Sequence, residues 1–552
     1  MFDRTLPALL LFVAPATLFA NPQFQTEPRA YTARGTVVNS VTGEAISGAL
    51  VLIYSGRQHA MLTSPDGKFH FEGLPNGSFP LSVQKPGYFS PDQIRRSGGP
   101  PTLVRTEEDR PITLKLIPEG VVYGHVTGDN GESLGYLPVQ ILWERIENGK
   151  RTREANRSVQ TDEEGEFRQA ELQPGKYFVF VGPSSWPTSF PSRLSQGGAH
   201  GYPGVFYPGV ADLSSATAID ITPGKHAEIN LSLTSQLFYR ISGTVSGYGP
   251  GQAVNIQLLS ASGQPIGAGV EFDEARATFR SSWVPAGACT ITAESQDPKT
   301  NQQGYASQRL NITSDLRGVH LALLPMSVMP VNIRLETTRS EPQVDTTSHF
   351  FSSGGRNQMR TPQYSPARVV LKPQQRLFTQ QQEFSQSVTD EDPSPAIRNV
   401  PPGLYAVEVN PNGQYYVQSA RSGSVDVLEQ GLTVAPGGSN QPIDIVLRDD
   451  FATLEGSLAF GPDSESATII VMSANSPNAV PQRNVVLTNT VHSFQISQLA
   501  PGEYQILAVD NPDELEYANP EAVRRYLSRA RDVSLAPNQK AKVELEVIRI
   551  GD

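Results

Sequence analysis

The stretch that decides the fold is Gly67-Lys68-Phe69-His70-Phe71-Glu72-Gly73-Leu74-Pro75-Asn76-Gly77-Ser78-Phe79-Pro80-Leu81-Ser82-Val83. Its apolar side chains occupy every second position on both sides of a Leu-Pro-x-Gly turn. Alternation of this kind is typical of β-strands with one buried face. The stretch therefore predicts a β-hairpin.

The same pattern recurs four more times along the chain. Aligned on the turn glycine, the copies contain Gly77, Gly175, Gly287, Gly403 and Gly502, which are 98, 112, 116 and 99 residues apart. This spacing is the length of a small β-sandwich domain. Strands that contain glycine precede four of the copies, at Gly35, Gly124, Gly243 and Gly456. An alternating strand follows each copy, beginning at Ile112, Ile229, Val319, Ile443 and Val543.

These opening and closing strands predict an all-β protein, a tandem array of five antiparallel β-sandwich domains of Ig-like or prealbumin-like type. The predicted domains cover residues 30–119, 120–237, 238–326, 327–449 and 450–552, because complete strand sets end just before 119, 237, 326 and 449. The second domain carries an aromatic-rich insertion and the fourth a polar insertion. A short surface helix is predicted after Asn519, the N-cap, and Pro520.

Two stretches carry a family resemblance: G-T-V-V-N-S-V-T-G-E-A-I-S-G-A-L-V-L-I from Gly35, and S-P-D-G-K-F-H-F-E-G-L-P-N-G-S-F-P-L-S-V from Ser64. The chain resembles the carboxypeptidase regulatory-like domain, specifically over residues 30–119, well over 120–237, and more weakly beyond. The fourth copy departs most, since it lacks the opening glycine and the first aromatic residue. The resemblance implies a prealbumin-like sandwich among the carbohydrate-binding-like folds, and an accessory role without catalytic residues. Such domains occur in secreted bacterial repeat proteins.

Charge and the first twenty residues bear on partners and compartment. The chain has 44 Lys and Arg against 55 Asp and Glu, a formal charge of −11, and no basic run, so nucleic acid is not an expected partner.

Residues 1–20 combine an apolar stretch with small residues before Ala20, which predicts a signal peptide; an apolar disordered tail is the alternative. No later stretch has 18 uninterrupted apolar residues, so the mature chain is expected to lack a transmembrane segment. The predicted location is secreted, periplasmic or at the cell surface.

The residue types needed for catalysis are not found in catalytic patterns. The eight histidines form neither an H-E-x-x-H nor an H-x-x-E motif, and no G-x-S-x-G or phosphate-binding loop occurs. We therefore predict no catalytic residue, no metal and no cofactor. Asp66-Gly67 and Thr161–Gly165 fit either hairpin turns or calcium loops. Cys289, the single cysteine, cannot form an intrachain disulfide and is predicted to be buried and inert, because it takes the inward aromatic position of the repeat.

The insertion from Ser184 to Gly209 is the best ligand-site candidate. Aromatic rings on a loop rich in Gly, Pro and Ser can stack on sugars or grip a peptide. The alternative is that the loop folds back and buries its rings. The candidate residues are Trp186, Phe190, Tyr202, Phe206 and Tyr207.

The sequence thus favours a non-catalytic extracytoplasmic repeat protein that acts as a carbohydrate-binding, adhesion or scaffold module. Polysaccharide and cell-surface protein are the candidate partners. Two alternatives stay open. One is an accessory component of a secreted hydrolase, or a hydrolase whose site the sequence does not reveal, and the other is a purely structural spacer.

Overall fold

The computed structural model describes residues 31–94, 102–106, 110–182, 193–195, 198–261, 263, 265–338, 365–374, 383–387, 395–437, 440–461, 466–474, 482–488 and 492–550. Contacts between Cα atoms divide the chain into two compact units. One contains residues 1–39, 43–85 and 101–115, and the other contains residues 40–42, 86–100 and 116–552. The strands lie in five successive segments of the chain, each identified below by its residue range.

Segment 1 (31–118) has two four-stranded sheets, β4-β1-β8-β6 and β3-β2-β5-β7. Its elements are β1 (Tyr31–Asn39), β2 (Leu50–Tyr54), β3 (Gln58–Leu62), β4 (Lys68–Leu74), β5 (Ser78–Gln84), β6 (Tyr88–Phe89), α1 (Pro91–Ile94), β7 (Leu103–Arg105) and β8 (Ile112–Pro118). Alternate residues of these strands, such as Val51, Phe69 and Leu81, are buried. The period-2 pattern of the sequence is therefore the pattern of burial.

Segment 2 (120–232) packs the sheet β12-β9-β18 on the sheet β11-β10-β13-β16. Its strands are β9 (Gly120–Thr127), β10 (Pro138–Glu147), β11 (Lys150–Gln160), β12 (Glu166–Leu172), β13 (Gly175–Val181), β14 (Arg193–Ser195), β15 (Gly198–Gly201), β16 (Val205–Phe206), β17 (Ile219–Ile221), β18 (His226–Glu228) and β19 (Leu231–Ser232), with a 3-10 turn at Leu213–Ser215. One core cluster draws side chains from both sheets, including Val122, Ile141, Phe167 and Val179.

Segments 3 and 4 repeat this arrangement around separate cores. Segment 3 (236–325) contains β20 (Gln236–Tyr239), β21 (Ile241–Ser246), β22 (Ala253–Ser260), β23 (Val270–Asp273), β24 (Thr278–Ser281), β25 (Val284–Pro285), β26 (Gly287–Gln296), β27 (Gln303–Ile312), β28 (Leu316–Ala322) and β29 (Leu324–Pro325). Segment 4 (327–448) contains β30 (Ser327–Glu336), β31 (Ala367–Pro373), β32 (Phe384–Ser385), β33 (Ala396–Val400), β34 (Gly403–Pro411), β35 (Tyr416–Ser422), β36 (Val425–Asp426), α2 (Val427–Gln430), β37 (Leu432–Val434) and β38 (Ile443–Arg448).

Segment 5 (452–548) has one continuous sheet of seven strands, because its last strand pairs with strands of both layers. Its elements are β39 (Ala452–Ala459), β40 (Ser466–Ser473), β41 (Gln482–Thr488), β42 (Ser493–Leu499), β43 (Gly502–Val509), α3 (Pro520–Val523), β44 (Arg531–Leu535) and β45 (Lys540–Ile548), with 3-10 turns at Pro512–Glu514 and Arg524–Arg529. The predicted N-cap of α3 is confirmed, since the Asn519 side chain accepts a hydrogen bond from the Glu521 amide.

The repeated turn that ends in glycine is an arch between two strands that do not pair with each other, and the prediction of a hairpin was wrong. In segment 1, β4 pairs with β1, whereas β5 pairs with β2 and β7. The apolar sides of the two arms therefore face each other across the core instead of lying side by side. The same division holds for β12 and β13, β24 and β26, β33 and β34, and β42 and β43.

The all-β sandwich class is confirmed, with one difference in strand direction. In segments 2 to 5 the opening strand pairs in parallel with the closing strand: β9 with β18 and β19, β21 with β28, β30 with β38, and β39 with β45. The sheets are therefore mixed instead of wholly antiparallel. The division into five domains, with four boundaries near 119, 237, 326 and 449, stays a prediction.

A glycine is required in the opening strand because the closing strand passes close to it. At Gly243, a Cβ atom would lie 1.8 Å from the carbonyl oxygen of Val319 on the closing strand and 2.9 Å from the ring of Phe279. Gly35 and Gly456 face the equivalent carbonyl and the equivalent phenylalanine at 2.1 to 2.7 Å. The fourth copy lacks both the opening glycine and the phenylalanine. Val331 takes the place of the glycine, since it pairs with Ile443 of the closing strand, and its amide donates to the carbonyl of Pro395.

Three of the five arches are tied by the tyrosine that follows the turn. The hydroxyls of Tyr177, Tyr405 and Tyr504 donate to the carbonyl oxygen four residues earlier, at 2.7, 2.8 and 2.7 Å. This contact resembles the tyrosine corner of other sandwiches. Cys289 holds the same position in segment 3, where it is 3% exposed, and burial raises the pKa of its thiol to about 11. The predicted burial of Cys289 is confirmed.

Side chains just before the arch turn also join neighbouring segments. Asn399 donates through Nδ2 to the Asn301 carbonyl at 2.8 Å and accepts from the Gln303 amide at 3.2 Å. Gln498 donates to the Gly413 carbonyl at 2.5 Å. Both residues have left-handed backbones, φ 56° and 65°. One arch position therefore links segment 4 to segment 3 and segment 5 to segment 4.

Candidate ligand-binding surfaces in segments 2 and 5

The aromatic insertion contributes strands to two sheets. Val205 and Phe206 of β16 extend the segment 2 sheet by pairing with β13, while β14 and β15 join a separate sheet with β20 and β25 of segment 3. The insertion therefore lies against its own sandwich and against the start of the next. Trp186 and Phe190 lie outside the described residues.

Phe206 is part of the fold. Its side chain is completely buried and packs on Phe180, with ring centroids 4.9 Å apart, beside Leu142 and Leu213. Gly204 makes room for this packing, because a Cβ atom there would lie 2.4 Å from the Phe180 ring. A ring in this position has no open face for a ligand.

Tyr207 is half-buried against the segment 2 core. Its backbone is fixed on both sides, since its amide donates to the Val179 carbonyl at 2.9 Å and its carbonyl accepts from the Thr217 amide at 2.9 Å. The exposed remainder of the ring is therefore held on a rigid support, which lowers the entropy lost on binding.

Tyr202 packs against the same core, and its hydroxyl lies beside two carboxylates. The hydroxyl donates to Glu132 and lies 3.3 Å from Asp129 Oδ1. Burial and these acceptors raise the pKa of Tyr202 well above its ordinary value. Of the five predicted residues, the structure thus places Tyr202 and Tyr207 as partly exposed rings on one core, and Phe206 inside.

A second surface, which sequence reasoning missed, is a groove of about 1120 Å³ in segment 5. Polar side chains of β42, β39 and β45 alternate with buried ones, and β44 contributes four more lining residues. The lining is Glu455, Gly456, Ser457, Ser493, Phe494, Gln495, Arg531, Asp532, Val533, Ser534, Lys542, Val543 and Glu544. The alternation in sequence predicts that these polar side chains face solvent. They come together only because strands far apart in the sequence pair with one another.

Segment 1 shows how the repeat is built at its clearest. Gly35 lies under the Phe69 ring and beside the Ile112 carbonyl, and the arch from Leu74 to Gly77 joins two sheets. Residues 32–106 match the carboxypeptidase regulatory-like domain. The predicted resemblance is confirmed over that range.

The turn at Asp66 of the regulatory-like domain is held by its own side chains. Asp66 accepts a hydrogen bond from the Ser64 hydroxyl at 2.6 Å and pairs with Lys68 at 2.7 Å. The hydrogen bond from Lys68 is the largest cause that lowers the pKa of Asp66 to about 2. In segment 2, Asp162 accepts from the backbone amides of Glu164 and Glu166 in the same way. Both carboxylates therefore have turn-forming contacts.

Several solved structures of bacterial pilins share weak similarity with the chain. The minor pilin GBS52 of Streptococcus agalactiae is 17% identical, with 37% of this chain and 95% of that chain covered at a TM-score of 0.21. A streptococcal ancillary pilin is 11% identical, with 53% and 99% covered at 0.20, and the shaft pilin spaA of Lactobacillus rhamnosus GG is 9% identical, with 40% and 100% covered at 0.20. A comparison with curated proteins found no match.

Among the residues that the structure describes, no three or more His, Cys, Asp and Glu side chains cluster as metal ligands would. Within the same residues, no helix is both long and apolar enough to cross a membrane.

Proposed function

We propose that the chain is a non-catalytic scaffold or adhesion protein outside the cytoplasm that holds ligand-binding surfaces in fixed positions. The observation that carries this proposal is that neighbouring segments are joined by hydrogen bonds and by a shared sheet. Asn399 and Gln498 bond to the preceding segment, and the insertion of segment 2 shares a sheet with segment 3. Ordered joints of this kind suit a protein whose task is to position surfaces.

The joint between segments 4 and 5 adds to this support. Arg448 ends β38, and its guanidinium binds both carboxylate oxygens of Asp450 at 2.9 and 2.7 Å. The Tyr416 hydroxyl donates to Asp450 at 3.0 Å, and the Asp450 carbonyl accepts from the Asn538 amide of segment 5. Asp450 is buried, so these bonds are shielded from water. We include the boundaries near 119, 237, 326 and 449 in the proposal.

The ligand that we propose is a polysaccharide, with a cell-surface protein as the second candidate. Tyr202 and Tyr207 supply partly exposed rings on a rigid support, and we retain Trp186 and Phe190 of the same insertion in the proposed site. Stacking of sugar rings on such side chains requires no metal and no acid.

The test is retention of the mature chain by polysaccharides, peptidoglycan and candidate surface proteins, beside assays for peptide and glycoside hydrolysis. We expect retention without turnover, and weaker retention when Trp186 and Tyr202 are replaced by Ala. Turnover of any substrate by the purified chain would contradict the proposal. Retention that is unchanged in the double variant, at unchanged thermal stability, would remove the insertion from the site.

An accessory role beside a secreted hydrolase is the alternative. The observation that favours it is the match of residues 32–106 to a regulatory-like domain, a type of domain that stands beside catalytic modules. Co-purification of the chain with a hydrolase, and a change in that enzyme's activity on addition of the chain, would favour this alternative.

A further inference from the structure

The groove of segment 5 differs from the matching surfaces of segments 3 and 4 in the hydrogen bonds of its polar side chains. The relevant pair is the residue after the opening glycine and its parallel partner on the closing strand. In segment 3 this pair is Thr244 and His320, which are hydrogen-bonded at 2.9 Å. In segment 4 it is Asn332 and Asp444, which are hydrogen-bonded at 2.8 Å.

In segment 5 the pair is Ser457 and Glu544. Among the residues that the structure describes, neither side chain has a hydrogen-bond or ion-pair partner. The same holds, within those residues, for the neighbouring row of Gln495, Glu455 and Lys542, although these residues pair across adjacent strands. Segment 5 therefore presents two rows of donors and acceptors without partners among the described residues, and the first row replaces a pair that is hydrogen-bonded in segments 3 and 4.

The wall of the groove adds a further donor. Arg531 on β44 is exposed, and it too has no partner among the described residues. On the same strand, Asp532 accepts a hydrogen bond from the Gln505 side chain at 3.1 Å, and the Ser534 hydroxyl donates to Glu503 at 2.7 Å. The charged groups of the lining are then Glu455, Glu544 and Asp532 against Arg531 and Lys542, a mixture of both signs with one carboxylate in excess.

The mixture of charges and the groove size point to the ligand class. An anion would meet three carboxylates and a cation two basic groups, whereas hydroxyl groups donate to carboxylates and accept from Lys, Arg and Gln. The volume of about 1120 Å³ accommodates a short saccharide segment. We propose that the groove between β42, β39, β45 and β44 binds an uncharged polysaccharide through its hydroxyl groups.

This proposal rests on the proposed binding function but uses a different surface from the insertion, so the two can fail separately. The test is affinity electrophoresis of the full chain through gels that contain soluble xylan, galactomannan or β-glucan. Glu544→Gln is expected to weaken retention about tenfold, because a charge-assisted hydrogen bond becomes a neutral one. Ser457→Trp fills the groove and is expected to abolish retention.

Glu546→Gln is the matched control, since Glu546 is exposed on the same strand and lies outside the groove. Thermal melting of each variant separates loss of binding from loss of folding. Wild-type retention that Glu544→Gln and Ser457→Trp leave unchanged would overturn the groove and leave polysaccharide binding by the insertion standing. No wild-type retention in any of the three gels would overturn the groove proposal. Retention that high salt abolishes would overturn the assignment to an uncharged ligand.

Discussion

Replacing Gly243 by Ala tests whether close approach of the closing strand explains the opening glycine. The new Cβ atom would lie 1.8 Å from the Val319 carbonyl oxygen, and ordinary contacts of this kind begin at about 3.4 Å. The obstacle is backbone, so β21 and β28 must separate by more than an ångström and weaken their parallel pairing. Strain of this kind in a packed core costs about 3 kcal/mol.

Modification of the Cys289 thiol measures the effect of this substitution on the stability of segment 3. Cys289 is its single cysteine and is buried in the core of segment 3, so the rate of thiol modification reports unfolding of that segment alone. A loss of about 3 kcal/mol corresponds to labelling about 100-fold faster under conditions in which reclosing outpaces modification.

Gly249→Ala is the control in the same segment. Its Cβ atom would meet only the end of the flexible Gln252 side chain, at 3.3 Å, and its backbone angles suit alanine. We expect labelling at the wild-type rate or slower. Equal labelling rates in Gly243→Ala and in the wild type would refute the reasoning, because the strands would then tolerate the extra atom.

Three further results are expected. Phe206→Ala should lower the free energy of unfolding by about 3–5 kcal/mol in thermal or urea melts, since the ring is fully buried, and unchanged melting would place it at the surface. Tyr405→Phe should lower the free energy of unfolding by about 1 kcal/mol, because it removes the hydrogen bond to the Pro401 carbonyl. Unchanged melting would show that this hydrogen bond does not stabilise the arch. The hydrogen bond from Arg448 is the largest cause that lowers the pKa of Asp450, so the stability it adds is present above the ordinary carboxyl range and is lost as pH falls through the lowered pKa. Asp450→Asn should therefore melt earlier at neutral pH and lose less on acidification, and an equal acid response in both proteins would contradict this.

The strands could be predicted from sequence because their signal is local. Alternating residues such as Phe69, Phe71 and Leu81 are buried as the period requires. The same alternation fits a hairpin and an arch equally well, since both have one buried face per arm. Only the partners of each arm distinguish the two, and those partners lie elsewhere in the chain. The strand pairs of the fold were therefore harder to predict than the strands.

The candidate sites show the same limit. Ring density in the sequence drew attention to the insertion, but the burial of Phe206 depends on Phe180, which lies on a different strand. Ser457 and Glu544 meet only because the first and last strands of segment 5 pair. Such contacts are set by tertiary structure, and no spacing within either strand encodes them.

The parallel pairing of opening and closing strands has a mechanical consequence. In segment 5, β39 enters at one end of the sheet and β45 leaves at the other, and the two pair continuously from Thr453 with Lys540 to Ala459 with Glu546. Tension applied through the two ends would pull these strands past each other along their length. All the hydrogen bonds between them would then bear the force together, where an antiparallel hairpin pulled from its open end would lose them one at a time. A segment closed in this way is built to resist stretching, and single-molecule pulling on the chain would measure that resistance as a rate of forced unfolding.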